Sequence, residues 1–442
     1  MKIIVVFFAL LILAGSTTGC MRSLQADNTI TQSSILNSNY LVDPLNNHSD
    51  SLLPALLAKY PGYFDSIISR KDELNIQVIY TQIDRGKKEK NRIRFTDHSF
   101  NLQPDQYFYP ASTVKLPVAI LALQKLRELN IPGLDRNTTM ITGSAGAWQT
   151  AVNNDSSTAS GKPSIAHYIK KILLVSDNDA FNRLYEFLGQ EYINNNLHRM
   201  GYRDVQIIHR LSISLTDEEN RFANPVSFLD NNGKIIYAKP AEKSQLIYAN
   251  RDTKLGTGYL KGNELVNEPF DFSKKNRLPL QDLHHIIRSI LFPADTPKEE
   301  RFNLAKEDYD FLRLYMSMRP GESSSPLYSA PDYWDNYTKM IYYGAEKTNP
   351  EPGIRIFNKT GTAYGFLIDA CYFADSRNNI EFMLSAVIYC NSDGIFNDDK
   401  YEYNSVGYPF LMHLGRIVYE YELKRERKYP TRLSSFQFQY GQ

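Results

Sequence analysis

Residues 109–117 read YPASTVKLP and set Ser112 three residues ahead of Lys115, where an alternating pattern gives way to a helical one. Beyond it Leu116, Ile120, Leu123 and Leu126 recur at helical intervals until NIPG, residues 130–133, closes the segment. Positions i and i+3 share a helix face, so the Lys115 amine can reach the Ser112 hydroxyl. A neutral amine there could take the hydroxyl proton, and the free N–H groups of a helix start suit a developing oxyanion. Pro117 is tolerable so close to the start, where its missing N–H costs little. Taken alone the pair is a weak signal, because a Ser at a helix start is more often an N-cap.

Working outward, residues 52–71 have helical spacing of Leu, Ile and Phe, and residues 74–84 and 91–100 alternate like paired strands. Helices are predicted over 164–174, 180–188 and 191–200. Three strands follow at 355–363, 366–375 and 382–390, and a final helix at 407–427. Strands from both ends of the chain with helices between them predict an α/β (α+β) fold. Its antiparallel sheet is flanked by helices and joined by a mostly helical subdomain. Residues 230–275 are polar, Gly-dotted and rich in Tyr and Lys, which marks an insertion.

With 442 residues and 42% hydrophobic, the chain suits a large globular unit. The balance of 50 Lys and Arg against 49 Asp and Glu gives no electrostatic reason to expect nucleic acid, so a small-molecule substrate is expected. The eight His residues include no close ligand pair such as H-x-x-x-H, and the neighbours His284 and His285 point in different directions on a helix. Neither a metal nor another cofactor is expected.

The first twenty residues, MKIIVVFFALLILAGSTTGC, combine Lys2, an apolar run over 3–14 and small residues ending in Cys20. That is the pattern of an export signal, with an apolar run shorter than the roughly 18 residues of a membrane span. Cys20 directly after Gly19 resembles the lipidation site of bacterial lipoproteins, although Thr17 stands where a Leu is usual. Plain secretion is the alternative. The expected organisation is a signal over 1–20, a polar tether over 21–50, a catalytic region over 51–430 and a C-terminal tail over 431–442. The expected location is the periplasm or cell envelope, with the membrane as partner through Cys20. If 366–375 and 382–390 pair as a hairpin, Cys371 faces a residue near Leu384 and Cys390 lies farther along, so both are expected as buried free thiols.

Two further motifs strengthen the first. LLVSDNDAF places Ser176, Asp177 and Asn178 in a break between two predicted helices, and FNKTGTAYG places Lys359, Thr360, Gly361 and Thr362 on a predicted strand. S-x-x-K, S-D-N and K-T-G in this order resemble the signature set of class A β-lactamases and penicillin-binding proteins. The resemblance covers roughly residues 55–425 and implies the serine β-lactamase and D,D-peptidase fold, with the active site between its two parts. By it, Ser112 is the acyl-accepting nucleophile and Lys115 its base. Ser176 passes a proton to the leaving nitrogen, and Asn178 binds the substrate amide. Lys359, Thr360 and Thr362 hold the substrate carboxylate, and the N–H groups of Ser112 and Thr362 form the oxyanion hole. Asp177 orients its loop, and Gly361 leaves room for substrate against the strand.

Class A β-lactamases also carry R-x-E-x-x-L-N after S-D-N, whose Glu activates the water that clears the acyl-enzyme. Here Arg210 and Leu215 fit that pattern, but Ser212 stands at the Glu position and Thr216 at the Asn position. Glu218 and Glu219 lie just downstream and are the candidate substitutes. The resemblance thus implies a β-lactam-hydrolysing enzyme. The missing Glu leaves open a D,D-peptidase acting on cell-wall peptides, or a lipid-anchored binding protein without turnover.

Overall fold

The computed structural model describes residues 51–87 and 93–441. The expected signal, Cys20 and the whole of the tether lie outside the described residues. The described residues all belong to one compact unit.

The helical segment predicted over 52–71 is two helices, α1 (Leu52–Leu57) and α2 (Pro61–Ile68). Pro61 cannot continue a helix but fits a first turn, so it ends one and starts the next. The hairpin of β1 (Gln77–Arg85) and β2 (Ile93–Phe100) follows. Near the C-terminus, β3 (Ile354–Ala363), β4 (Phe366–Asp375) and β5 (Ile380–Tyr389) complete a five-stranded sheet of order β3-β4-β5-β1-β2, antiparallel throughout. Cys371 pairs with Leu384, the register expected, and Cys371 and Cys390 are free and buried.

Alternate side chains face two cores. Val78, Tyr80, Leu384 and Phe382 pack with Phe410, Leu411 and Leu414 of α9 (Tyr408–Lys424), while Ile79, Ile368 and Met383 join a larger core. That larger core takes in α3 (Lys115–Leu129), α4 (Ile165–Val175), α5 (Asn178–Leu188), α6 (Gln190–Arg199), α7 (Leu280–Leu291) and α8 (Lys306–Ser317). Every residue of β4 is buried, as a strand covered on both faces requires. The segment expected as a tail packs into this core, where the Phe436 ring lies 4.7 Å from Tyr372 and 5.6 Å from Phe292.

Candidate active site

Ser112 sits in a 3-10 turn, Ala111–Val114, that runs straight into α3. Ala111 before it holds a left-handed φ of +49°, an uncommon conformation for a residue with a Cβ. Two bonds from Thr113 to Pro110 O, N–H at 3.0 Å and Oγ1 at 2.6 Å, fix the turn. Alongside runs β3, the sheet's edge strand. A Cβ on Gly361 would lie 2.7 Å from Pro110 O and 3.1 Å from Ser112 N. The turn that carries Ser112 therefore itself demands glycine at 361, a closer reason than the room for substrate read from the sequence.

Ser176 and Asp177 form the break between α4 and α5. Ser176 ends α4 with φ +61°, and Asp177 caps α5 by accepting from Ala180 N–H at 2.8 Å. That cap fixes Asp177 at the start of α5. Asn178 opens α5.

These elements converge on one hydroxyl. Lys115 is buried and donates to Ser176 O, to Asn178 Oδ1 at 2.6 Å and to Ser176 Oγ at 3.3 Å. Lys359, also buried, donates to Ser176 Oγ at 2.8 Å and to Thr360 O at 2.9 Å. The Lys115 amine thus lies against the second motif, where the i, i+3 spacing alone directed it to Ser112. Burial, and after it the neighbouring Lys359, push Lys115 well below the usual lysine range, with Asp177 opposing. Lys359 is pulled down to about 7 by burial, with Asp369 opposing and Lys339 adding to the shift. A lysine whose ammonium is destabilised in this way gives up a proton, and can then accept one, more readily than a solvated lysine.

A cleft of about 370 Å³ opens over this arrangement. Ser112, Ser176, Thr360, Gly361 and Thr362 line it, facing Trp334, Tyr337, Thr338, Met340 and Tyr408. The facing residues belong to none of the three motifs. Tyr337 stands edge-on to Trp334 and Tyr333 at 5.0 and 5.1 Å, so the wall is a packed aromatic cluster. The sequence signal for it was the density of aromatics in YSAPDYWDNYTKMIYY, residues 328–343.

The insertion over 230–275 does not line this cleft among the described residues. Its Phe270 and Phe272 pack against Tyr364 at 5.6 and 5.5 Å, and Phe272 against Tyr109 at 6.0 Å. Tyr109 and Tyr364 meet edge-on at 5.0 Å. The insertion therefore braces the chain on both sides of the site, just before the Ser112 turn and just after the K-T-G strand.

The loop after α6 is tied down from inside. Arg210 Nε meets Glu186 Oε1 at 3.0 Å with both side chains buried, and Arg183 holds the other carboxylate oxygen at 3.1 Å. Ser212, at φ +54°, accepts from Asn178 Nδ2 at 2.7 Å. Glu219 is occupied elsewhere, receiving Thr216 N–H at 2.7 Å and Thr216 Oγ1 at 2.8 Å in a capping box. Glu218 pairs with Lys243 at the surface. Neither carboxylate lines the cleft, and the structure does not bring them to the site. His284 bridges Thr81 and Ser385 at 2.8 Å each inside the core. Among the described residues no group of three His, Cys, Asp or Glu could hold a metal.

Residues 65–249 match the model of the β-lactamase enzyme family. The matched part carries Ser112, Lys115, Ser176 and Asn178, and Lys359 to Thr362 lie beyond it. No curated protein matches the chain. Solved structures similar to it include a β-lactamase from Desulfarculus baarsii, 13% identical, covering 84% of this chain and 97% of that one at a TM-score of 0.45. A β-lactamase from Xanthomonas campestris is 13% identical, covering 84% and 98% at 0.44. A PBP-A mutant in acyl-enzyme complex with penicillin G is 16% identical, covering 84% and 96% at 0.44. At these identities and scores the structural likeness assigns no activity.

Proposed function

We propose that the protein is a serine hydrolase of the β-lactamase and penicillin-binding kind, forming an acyl-enzyme on Ser112 with a β-lactam or a cell-wall peptide. The observation that carries this reading is the convergence of Lys115 and Lys359 on the Ser176 hydroxyl beside Ser112. Ser112 Oγ attacks the amide carbonyl as its proton passes to neutral Lys115, and the oxyanion forms against the backbone N–H groups of Ser112 and Thr362. When the C–N bond breaks, Ser176 Oγ gives its proton to the leaving nitrogen and is reprotonated through the Lys115 amine. Lys359, with Thr360 and Thr362, holds the substrate carboxylate.

Hydrolysis of the acyl-enzyme needs a base for water. No Asp or Glu lines the cleft among the described residues, and Glu218 and Glu219 are engaged elsewhere. This favours a penicillin-binding enzyme of the D,D-peptidase type, with slow release of a β-lactam, over an efficient class A-like β-lactamase. The N-terminal pattern adds an exported, cell-envelope location with Cys20 as the lipid-bearing residue, which fatty-acid labelling of wild type against Cys20→Ala would test.

Intact-mass spectrometry after mixing with benzylpenicillin tests the central reading. The expected result is an adduct that forms on wild type, persists, and is absent from Ser112→Ala. An adduct that clears as product accumulates would instead make the protein a β-lactamase. No adduct from β-lactam or D-Ala-D-Ala peptide would leave a binding protein.

A further inference from the structure

Behind Lys359 runs a buried polar chain that none of the three motifs contains. Asp369 lies on β4 opposite Thr360 and is fully buried. Its Oδ2 accepts the N–H groups of Met340 at 3.1 Å and Ile341 at 2.9 Å, and its Oδ1 accepts from Asn358 Nδ2 at 2.8 Å. Asn358, the residue before Lys359, accepts at Oδ1 from Lys339 Nζ at 2.7 Å, and Lys339 also donates to Met316 O at 2.7 Å. Donation therefore runs one way, from Lys339 through Asn358 to Asp369. The Lys339 ammonium can only donate, so the amide orientation is forced and the chain ends on a group that accepts. A carboxylate meets that demand while also taking two backbone N–H groups.

The chain touches the site in two ways. Met340, whose N–H ends on Asp369, lines the cleft, so the carboxylate anchors the wall that faces Ser112. The second way is electrostatic. Three lysines, 115, 339 and 359, are buried here at 0, 3 and 2% exposure, an arrangement that by itself expels protons. Burial takes Lys339 and Lys359 each to about 7, and for both the leading opposition is the Asp369 carboxylate. The other charges facing this group are Asp177 beside Lys115, and Arg319, Arg355 and Glu322 beside Lys339.

We propose that Asp369 is a positioning residue of the acyl-transfer site: it fixes the cleft wall through the 340–341 backbone and is the counter-charge that keeps Lys359 cationic for a carboxylate-bearing acyl donor. This rests on the reading of Lys359 as the substrate-carboxylate site. Asp369 acts on that amine through space and touches no substrate. Lys339 is the opposing element, a second cation that lowers the same amine and orients Asn358.

The test is lysine side-chain NMR on the purified protein, with the Lys359 resonance assigned by Lys359→Arg, paired with acylation by benzylpenicillin and by its methyl ester. In Asp369→Asn the Lys359 midpoint falls by about one unit, and above that midpoint acylation by the acid falls about tenfold. The ester, which has no carboxylate for Lys359 to hold, loses only what a loosened wall costs, so the acid falls about tenfold further than the ester. In Lys339→Met, available should Asp369→Asn fail to fold, the Lys359 midpoint moves upward. Opposite shifts in the two variants are not a consequence of general loosening. An unmoved midpoint, or equal loss with acid and ester, overturns the proposal. If wild type is acylated by neither donor while the midpoints move as stated, the acyl-transfer reading fails and the counter-charge assignment stands.

Discussion

Asn178 Nδ2 donates to Ser212 Oγ at 2.7 Å, joining the amide that accepts from Lys115 to the loop position where the class A pattern carries a glutamate. A hydroxyl in that place can accept a hydrogen bond but has no basicity near neutral pH with which to activate water. The loop is thus coupled to the site without bringing a base to it.

Acylation and release are therefore expected to separate. Ser212→Ala should leave both the formation and the lifetime of the benzylpenicillin adduct within about fivefold of wild type, since it removes one neutral hydrogen bond worth roughly 1 kcal/mol. Stopped-time mass spectrometry reads both rates. A lifetime shortened or lengthened by orders of magnitude would give Ser212 a chemical role that its geometry does not support.

Lys115 supplies a second test through pH. Its ammonium is destabilised first by burial and then by Lys359, so the neutral base persists well below the usual lysine range. The acid limb of the acylation profile, which follows protonation of this base as pH falls, should lie well below the pH at which a solvated lysine titrates. Lys115→Arg keeps the reach but stays protonated and cannot take the Ser112 proton, and is expected to lower acylation by about 10²–10⁴-fold. A profile that falls away below pH 9 would mean that Lys115 stays charged.

Much of this was legible in the sequence because it is local. The S-x-x-K turn, the S-D-N break and the K-T-G strand each occupy a few consecutive residues, and period-2 alternation placed Cys371 opposite Leu384. What escaped reading is contact between distant segments: Asn178 with Ser212, Asp369 with the 340–341 backbone, and the aromatic wall around Trp334. The packing of Phe436 was hidden for a related reason, since a three-residue turn has no period to detect. Glu218 and Glu219 stood near the right place in sequence, but the capping box turns Glu219 onto its own helix start and Lys243 holds Glu218.

Gly361→Ala tests the contact between the edge strand and the nucleophile turn. The added methyl would sit 2.7 Å from Pro110 O, closer than packed atoms allow, so strand or turn must shift. Overpacking of this kind costs about 1–3 kcal/mol, and a displacement of about 1 Å at Ser112 costs about 100-fold in acylation. A lower melting temperature with unchanged acylation would show that the turn yields without moving the hydroxyl.

Arg210 and Glu186 form the internal anchor of the Ser212 loop, and their burial decides how that anchor responds to substitution. Both side chains are only 2% exposed, and Arg210 also donates to Phe222 O at 2.7 Å. Removing Glu186 leaves the buried Arg210 guanidinium with no carboxylate, at a cost of about 3–5 kcal/mol, whereas removing Arg210 leaves Glu186 paired with Arg183 at 3.1 Å. Glu186→Met is expected to destabilise the protein by that amount in chemical denaturation, and Arg210→Met by less, because Arg183 still balances Glu186. The double variant should cost clearly less than the sum, because no charge of this pair is then stranded and Arg183 keeps Asp179 at 3.2 Å. Additive losses would mean that the pair contributes through packing rather than charge, and would move the anchoring role to the Arg210 contacts with the backbone.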